Sequence, residues 1–511
     1  VSDWSSDVCS SDLKNIIFYY IYLRIEVLIL STKQKHIPCL ITIFGATGDL
    51  SHRKLFPSIF HLYQQDNLDE HIAIIGIGRR DYNNEQFRDQ VKASIQTYVK
   101  DTDRIDEFMT HVFYHKTDVS DKNSYQSLLQ FSERLDSEFA LGGNRLFYLA
   151  MAPQFFGVIS DYLKSSGLTQ TKGFKRLVIE KPFGSDLKSA ESLNNQIRRS
   201  FKEEEIYRID HYLGKDMVQN IEVLRFANAM FEPLWNNKYI SNIQVTSSEV
   251  LGVEDRGGYY DKSGALKDMV QNHILQVLSI LAMDKPASFS SEDVLPEKIK
   301  VLQSLRVPDE QAITENFVRG QYQSGRINYQ DFQAYTDEPS VNPLSKTETF
   351  ASGVFFVDTE RFKDVPFFFR TGKRLTEKGT RINIIFKNNA NIFGESLKPS
   401  ILTIYIQPTE GFSLQVNDKE VGKTFSIEPV KLDFRHDADA LGNSPEAYEK
   451  LIYDVLNGDV TNFSRWQEVK ASWELIDKIV GSWQLDKTPL QYYPAGSMGP
   501  TKSFALLEKY D

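Results

Sequence analysis

Leu40-Ile-Thr-Ile-Phe-Gly-Ala-Thr-Gly-Asp-Leu50 is the stretch of sequence that decides the fold. Its apolar first half has the character of a buried parallel strand, and Gly45 and Gly48 predict a tight turn after it. Such a turn at the start of a helix exposes backbone N–H groups and the positive end of the helix dipole, which suits a pyrophosphate. Because Gly-x-x-Gly is a loose pattern, an ordinary strand–helix turn is an equally good interpretation of it.

Strand and helix patterns alternate after this turn. Residues 51–63 have helical apolar spacing, in which Pro57 predicts a kink or break, and 71–77, 145–151 and 176–179 have the composition of further buried strands. This alternation predicts a doubly wound α/β domain of the Rossmann type.

The pattern changes after residue 207. A helical stretch at 217–226 and a strand at 240–250 precede a long helix predicted over 264–283. The β-rich segments that follow are joined by short polar connections, which predicts a mostly antiparallel sheet in a larger α+β domain. They cover residues 350–357, 366–370, 382–386, 401–407 and 412–416, and a helical tail follows at 446–477.

The N-terminal residues 1–30 stand apart from both patterns. Ser-Ser-Asp occurs twice within them, and the apolar run 16–30 contains Arg24 and Glu26, so it is too short and too charged to span a membrane. We interpret residues 1–30 as a non-native N-terminal extension, with a native amphipathic segment as the alternative. The predicted domains are then a dinucleotide-binding Rossmann domain over 31–210 and an α+β substrate domain over 211–511.

Composition excludes several classes of protein. With 59 Lys+Arg against 69 Asp+Glu among 511 residues, the net charge of −10 argues against a nucleic-acid binder that relies on phosphate neutralisation. The two cysteines, Cys9 and Cys39, cannot form a disulfide framework or a zinc site. We therefore expect a protein of the reducing cytoplasm that holds no metal, binds no nucleic acid and has no membrane partner.

The second predicted strand indicates the coenzyme. It ends in Gly76-Ile-Gly-Arg-Arg80, where an NAD-specific enzyme usually has an acidic residue for the ribose 2′-hydroxyl. Arg79 and Arg80 instead offer a bidentate partner for a 2′-phosphate, which favours NADP over NAD. The alternative is a solvated pair of loop arginines.

Three further motifs carry candidate chemistry. In Arg208-Ile-Asp-His-Tyr-Leu-Gly-Lys215, a helical backbone would place His211 and Lys215 on one face, where they suit a bound phosphate monoester. His273 lies on the apolar stripe of the predicted helix 264–283, as a core histidine or as a general base that needs a carboxylate to fix its tautomer. Residues 367–374, with Lys378 beyond them, are predicted to form a strand that leads into a basic turn, which by itself is equally an ordinary charged loop.

Taken together, these motifs resemble the glucose-6-phosphate dehydrogenase family. Besides the stretches above, the resemblance includes Ile179-Glu-Lys-Pro-Phe-Gly184, Arg225-Phe-Ala-Asn-Ala-Met-Phe-Glu-Pro-Leu-Trp235 and Gln271-Asn-His273. It extends from about Cys39 to the C-terminus, with Ser51 where the family usually has alanine and Asp216 where it usually has glutamate. It implies oxidation of glucose 6-phosphate at C1, with NADP as coenzyme, NAD as a second one, and a homodimer formed through the antiparallel sheet.

The resemblance also implies roles for individual residues. His273 would be the general base and Asp210 the carboxylate that stabilises its imidazolium. The substrate-binding residues would be Lys54, Lys181, His211, Tyr212, Lys215, Glu249, Asp268, Lys373 and Lys378. The coenzyme-binding residues would be Gly45, Thr47, Gly48, Asp49, Leu50, Arg79, Arg80, Asp118, Val119 and Lys181. On an ideal α-helix, Asp268 lies about 140° from His273, so its role rests on the resemblance alone.

Two other functions fit parts of the pattern. An oxidoreductase of the glucose–fructose oxidoreductase type also has a Glu-Lys-Pro turn, but it gives no reason for the cluster His211, Tyr212 and Lys215. A non-catalytic NADP-sensing regulator would be expected to lose the base, whereas His273 and Asp210 are both present.

Overall fold

The computed structural model describes residues 37–388, 397–422, 426–436 and 447–510. The predicted N-terminal extension at 1–30, with Cys9, lies outside the described residues. Among the described helices, none has both the length and the apolar character that a membrane span requires.

The strands of the described residues are numbered along the chain. They are β1 (Cys39–Phe44), β2 (Ile72–Gly78), β3 (Val112–Lys116), β4 (Arg145–Leu149), β5 (Lys175–Ile179), β6 (Ile206–Ile209), β7 (Ile240–Ser248), β8 (Phe317–Gln323), β9 (Gly325–Ile327), β10 (Gln330–Phe332), β11 (Phe350–Phe356), β12 (Pro366–Gly372), β13 (Gly379–Phe386), β14 (Ile401–Gln407), β15 (Gly411–Lys419), β16 (Ile427–Arg435), β17 (Phe463–Ser464) and β18 (Gln491–Pro494).

The α-helices of the same residues are numbered in the same way. They are α1 (Phe56–Gln64), α2 (Asn84–Tyr98), α3 (Ile105–Met109), α4 (Ser124–Glu138), α5 (Phe156–Ser165), α6 (Leu187–Ile197), α7 (Asp216–Phe226), α8 (Gly257–Ala265), α9 (Leu275–Ala282), α10 (Ser291–Gln303), α11 (Glu310–Asn316), α12 (Ala447–Asn457), α13 (Trp466–Gln484) and α14 (Lys502–Tyr510). Two segments are π-helical, Ser51–Leu55 and Leu266–Ile274, and short 3₁₀ turns lie at Pro153–Phe155, Glu203–Glu205, Glu232–Leu234, Glu254–Arg256 and Tyr335–Asp337.

The first sheet is the Rossmann sheet that the alternating pattern predicts. Its order is β17–β6–β5–β4–β1–β2–β3, and β1 to β6 are parallel. Every residue of β1 is buried, which explains its uninterrupted apolar sequence. In this topology the ligand crevice lies where the strand order reverses, between β1 and β4.

The second sheet has nine strands in the order β16–β15–β14–β13–β7–β12–β11–β8–β18. Its pairs are antiparallel except for β7 with β12 and β8 with β18. The predicted fold class, a Rossmann-type domain with a larger α+β domain, is therefore confirmed.

Two predicted helices differ from the structure in their internal geometry. Pro57 does not break the first one: the π-helical segment Ser51–Leu55 runs directly into α1, of which Pro57 is the second residue, and Leu55 and Phe56 both have right-handed helical backbone angles. The helix predicted over 264–283 is interrupted at Gly264, whose φ of 71° and ψ of 172° are not helical, and it continues as the π-helix Leu266–Ile274 before α9.

The predicted helical tail at 446–477 is two helices, and its residue 446 lies outside the described residues. Between α12 and α13, β17 pairs with the edge strand β6 of the Rossmann sheet. Arg176 of β5 donates hydrogen bonds to the carbonyls of Val455 and Leu456, both at 2.7 Å, and so satisfies the end of α12. This late part of the chain therefore packs against the first sheet, a long-range pairing that local periodicity does not show.

Candidate active site

The glycine turn after β1 is built for a close approach of backbone atoms. Gly45 has a φ of +84°, and a Cβ at this position would lie 2.3 Å from the carbonyl oxygen of Ala150, which follows β4. Ser51 is buried and its hydroxyl donates to the Gly45 carbonyl at 3.0 Å, so the serine found where the family usually has alanine braces the turn. Only glycine fits at position 45, at the reversal of strand order.

The predicted coenzyme residues lie along one edge of the sheet. Arg79 and Arg80 follow β2 and are exposed, while exposed Asp118 and buried Val119 follow β3. The backbone joins the three loops, since Gly45 N–H donates to Ile77 O at 3.1 Å and Thr117 N–H donates to Gly78 O at 3.0 Å. Thr47, Gly48, Asp49 and Leu50 continue this edge from the turn, with Asp49 exposed and the others half-buried.

A buried histidine–aspartate pair lies where the two domains meet. Asp210 directly follows β6, and its Oδ1 is hydrogen-bonded to Nδ1 of His273 in the π-helix. The Tyr212 N–H donates to the same carboxylate oxygen at 2.9 Å and fixes the orientation of the carboxylate. Since a carboxylate accepts hydrogen bonds, His273 Nδ1 carries the proton and Nε2 presents its lone pair.

Lys181 completes this arrangement from the other side. Its Nζ lies 2.8 Å from His273 Nε2, and the ammonium group donates to the ring nitrogen. Lys181 follows β5 and precedes a cis peptide bond to Pro182. The ring of His273 is therefore hydrogen-bonded at both nitrogens, and Nε2 is the atom at which a proton can be taken up.

The π-helix places Asp268 beside His273. In a π-helix the hydrogen bonds join residues five apart, so residues 268 and 273 lie on one face. Lys181 Nζ lies 3.4 Å from Asp268 Oδ1 and thereby reaches both side chains. The expectation that the two residues diverge by about 140° is wrong, because it assumed 3.6 residues per turn.

The charges of this cluster set its protonation. Burial lowers the pKa of His273 below 6.5, against the opposing effect of Asp210, so the ring is neutral near pH 7. Burial alone would raise the pKa of Asp210, but the charge and hydrogen bond of His273 hold it well below its usual range. Burial alone would lower the pKa of Lys181, but Asp268 and then Tyr259 and Asp210 raise it, so the ammonium stays charged.

The segment after Asp210 is not helical, which corrects the expected shared face of His211 and Lys215. It forms successive turns, and Lys215 stands at the N-cap of α7. The His211 ring lies edge-on to the His273 ring at 4.5 Å between centroids. Burial, together with His273 and Lys181, lowers the pKa of His211 well below 6.5, so this side chain is uncharged near pH 7.

Tyr212 and Lys215 connect the cluster to the second sheet. The Tyr212 ring stacks on His273 at 4.3 Å, and its hydroxyl lies 3.1 Å from Ser247 Oγ of β7. Lys215 Nζ donates to Gln407 Oε1 at 2.6 Å and lies over the Tyr212 ring. Gln407 is a residue that the sequence interpretation missed.

Glu249 and Lys373 form a further ion pair beside the cluster. Their Oε2 and Nζ atoms are 2.5 Å apart, at the ends of the neighbouring strands β7 and β12. Burial raises the pKa of Asp268, but the charges of Lys181 and then Lys373 bring it below its usual value. Lys378 is exposed in the loop before β13, and Lys54 is half-buried in the π-helical segment after the glycine turn.

Two polar residues near the cluster were not singled out from the sequence. Gln407 is the last residue of β14, and no sequence motif marks it. Burial and then the charge of Asp268 raise the pKa of Tyr259, and Lys181 lowers it. Against the effect of burial, Asp268 and then Tyr259 raise the pKa of Lys181. Tyr259 also lines a cavity of about 610 Å³ beside Pro182, together with Pro153, Lys267 and Asn272.

Within the described residues, Asp210, His211 and His273 are also close enough to offer three ligand atoms to a metal ion. The Lys181 ammonium, 2.8 Å from His273 Nε2, disfavours a second cation at that nitrogen.

Two models of a known protein family match this chain. The model of the glucose-6-phosphate dehydrogenase NAD binding domain matches residues 42–220, and that of the C-terminal domain matches residues 222–511. The chain belongs to the glucose-6-phosphate dehydrogenase family. A member of this family, it is an oxidoreductase that oxidises glucose 6-phosphate at C1.

Individual relatives match nearly the whole length of the chain and support its membership of the family. The glucose-6-phosphate 1-dehydrogenase of Streptococcus pneumoniae serotype 4 is 56% identical over 92% of this chain and 95% of its own, and that of Bacillus subtilis is 52% identical over 92% and 96%. A solved glucose-6-phosphate dehydrogenase in complex with glucose 6-phosphate superposes with a TM-score of 0.86 at 36% identity, over 93% of this chain and 98% of that one.

Proposed function

We propose that the chain converts D-glucose 6-phosphate to 6-phospho-D-glucono-1,5-lactone with NADP as preferred hydride acceptor and His273 as the general base. This reaction is the first step of the oxidative pentose phosphate pathway. The observation that supports it best is the hydrogen-bonded series Asp210–His273–Lys181, in which the bond to Asp210 keeps the proton on Nδ1 and the lone pair on Nε2, where Lys181 also binds.

The tautomer of His273 determines which ring nitrogen accepts the proton of the substrate. Nε2 takes the proton of the C1 hydroxyl, and the imidazolium that forms is stabilised by Asp210 at Nδ1. The lowered pKa of His273 keeps the ring neutral before the reaction. Bound NADP would supply the nicotinamide that accepts the hydride leaving C1.

The positions of the charged side chains support a division of labour in substrate binding. Lys215, with His211 and Tyr212 beside it, would hold the phosphate, because an ammonium group forms strong charge-assisted hydrogen bonds to a dianion. The other predicted substrate residues, Lys54, Lys181, Glu249, Asp268, Lys373 and Lys378, would hold the sugar hydroxyls or add positive charge around the phosphate.

The coenzyme edge fits a 2′-phosphorylated dinucleotide. The turn that begins at Gly45 lies at the crevice, where this fold binds a pyrophosphate, and Arg79 and Arg80 stand exposed at the end of β2, where the adenosine ribose lies in this fold. Gly48, Thr47, Asp49 and Leu50 would complete the pyrophosphate turn, and Asp118 and Val119 would flank the adenine. NAD remains the second candidate coenzyme.

Four initial-rate measurements test this proposal: coenzyme reduction with glucose 6-phosphate and with glucose, each with NADP and with NAD. We expect turnover to depend on the 6-phosphate and to be faster at low concentrations of NADP than of NAD. Equal kcat/KM for glucose and glucose 6-phosphate would contradict the phosphate role of Lys215. Faster turnover with NAD would contradict the role of Arg79.

We further propose a homodimer formed through the nine-stranded sheet and a cytoplasmic location. Exposed apolar side chains at Leu432 and Phe434 of β16 support an interface on that sheet, and the low cysteine count supports the location. In sedimentation equilibrium, a homodimer would have twice the chain mass of 58.8 kDa. The division into a coenzyme domain over 31–210 and a substrate and dimerisation domain over 211–511 remains part of this proposal.

A further inference from the structure

Glu348 contacts the start of the π-helix that carries His273. Its backbone carbonyl accepts a hydrogen bond from the Ala265 N–H at 3.0 Å, and its side-chain Oε1 accepts one from the Leu266 N–H at 3.1 Å. The first N–H groups of any helix lack partners within the helix, so Glu348 supplies two of the partners that this one needs. Burial raises the pKa of Glu348 to about 7, while the hydrogen bond from the Leu266 N–H opposes that rise.

The break at Gly264 is shaped around this carboxylate. The φ of 71° and ψ of 172° at Gly264 form a backbone conformation that is open almost only to glycine. A Cβ at residue 264 would lie 2.3 Å from Glu348 Oε1, in the space that the carboxylate occupies. Glu348 can therefore take this position only because residue 264 has no side chain.

The second sheet holds Glu348 in place. The next residue, Thr349, is buried, and its N–H donates to the Gly320 carbonyl of β8 at 2.8 Å, just before β11 begins. Glu348 thus connects a rigid strand of the sheet to the first turn of the π-helix. The position of that turn determines where side chains further along the helix lie.

We propose that Glu348 is a positioning residue for the reaction, one that fixes the start of the π-helix so that Asp268 and His273 both reach Lys181. Asp268 and His273 lie two and seven residues after Leu266, on the face that contacts Lys181. This inference rests on the proposed role of His273 as the base. It adds a residue that touches neither substrate nor coenzyme.

Two substitutions at Glu348 test the inference in the full-length enzyme. Glu348→Ala removes the acceptor for Leu266, and we expect kcat with glucose 6-phosphate to fall about 10- to 100-fold, since small displacements of catalytic groups cost that much. Glu348→Gln keeps an oxygen that accepts the same N–H, and we expect kcat within about threefold of the wild-type value. An equal loss in both variants, or none in Glu348→Ala, would overturn the inference.

Asp309→Ala is the matched control for the loss of a helix-capping carboxylate. Asp309 Oδ1 accepts the Ala312 N–H at 2.7 Å at the start of α11, away from the cluster. We expect wild-type kcat in this variant, whatever its thermal stability. If Glu348→Ala does not fold, Gly264→Ala introduces a Cβ into the carboxylate's space, and wild-type kcat in that variant would equally overturn the inference.

A double-mutant cycle separates this inference from the proposed function. In a His273→Asn background, Glu348→Ala should lower the residual kcat by less than about twofold, because the base that it positions is gone. A second loss of tenfold or more there would show that Glu348 acts otherwise. Wild-type turnover in His273→Asn alone would instead contradict the proposed base, whatever the Glu348 variants do.

Discussion

The two ends of the candidate site differ in how far they are assembled. At the acid–base end, Asp210 and His273 are buried and hydrogen-bonded to each other and to Lys181. At the coenzyme end, Arg79 and Arg80 are exposed at the edge of the Rossmann sheet. The acid–base end is therefore buried and hydrogen-bonded within the protein, whereas the charged side chains of the coenzyme end lie in solvent.

This difference has an energetic consequence. Buried hydrogen bonds act in a low dielectric, so removing one group leaves its partner without compensation. Exposed charges are screened by water and salt, and each contributes less. Substitutions at the acid–base end should therefore have large effects on kcat, and those at the coenzyme end should have smaller effects on KM.

The largest effect is expected for His273→Asn. Asparagine cannot take up the C1 hydroxyl proton, so kcat should fall by roughly 10²–10⁴ while KM for glucose 6-phosphate stays nearly unchanged. Steady-state kinetics measures both, and fluorescence titration with NADPH serves as the control for an intact coenzyme site. Retained turnover would remove His273 as the base.

Asp210→Asn should follow closely, with a fall in kcat of roughly 10²–10³, because an amide neither fixes the His273 tautomer nor stabilises its imidazolium. The charge of Asp210 raises the pKa of His273, against burial. Its removal should therefore lower that pKa and move the acid limb of the kcat/KM profile to lower pH. A limb that stays in place would show that His273 does not produce it.

Lys215→Ala is expected to act on substrate binding. Loss of a charge-assisted hydrogen bond of about 1.5–3 kcal/mol should raise KM for glucose 6-phosphate by about 10- to 100-fold with little change in kcat. Glucose is the matched control substrate, because it has no phosphate for Lys215 to hold. The phosphate role would be contradicted if KM were unchanged.

Arg79→Ala should have the smallest effect, since its guanidinium is exposed. We expect KM for NADP to rise about 5- to 20-fold and KM for NAD to change by less than about twofold. Arg80→Ala, at the other arginine of the pair, should raise KM for NADP by less, because Arg80 also donates to the Tyr82 hydroxyl at 3.2 Å. Equal effects on the two coenzymes would argue that Arg79 does not read the 2′-phosphate.

Sequence reasoning predicted both sheets because their periodicities are local. β1 is buried on both faces, which produces its uninterrupted apolar run. β13 and β14 are buried on one face, which produces their alternating pattern. It predicted the helix at 264–283 but not its type, because periodicity does not distinguish a π-helix from an α-helix. Gly264 alone does not reveal the contact between Glu348 and the start of that helix.

The sequence by itself determined the family and a Rossmann-type domain with its glycine turn, and through the family resemblance it named the candidate base and its carboxylate. Only the tertiary structure decided how they meet: Asp210 and His273 are 63 residues apart, and Lys181 and His273 are 92 apart. Local sequence patterns record burial and backbone preference, whereas contacts across such separations depend on how whole elements pack. The burial that keeps the His273 ring neutral near pH 7 is therefore a property of the assembled fold.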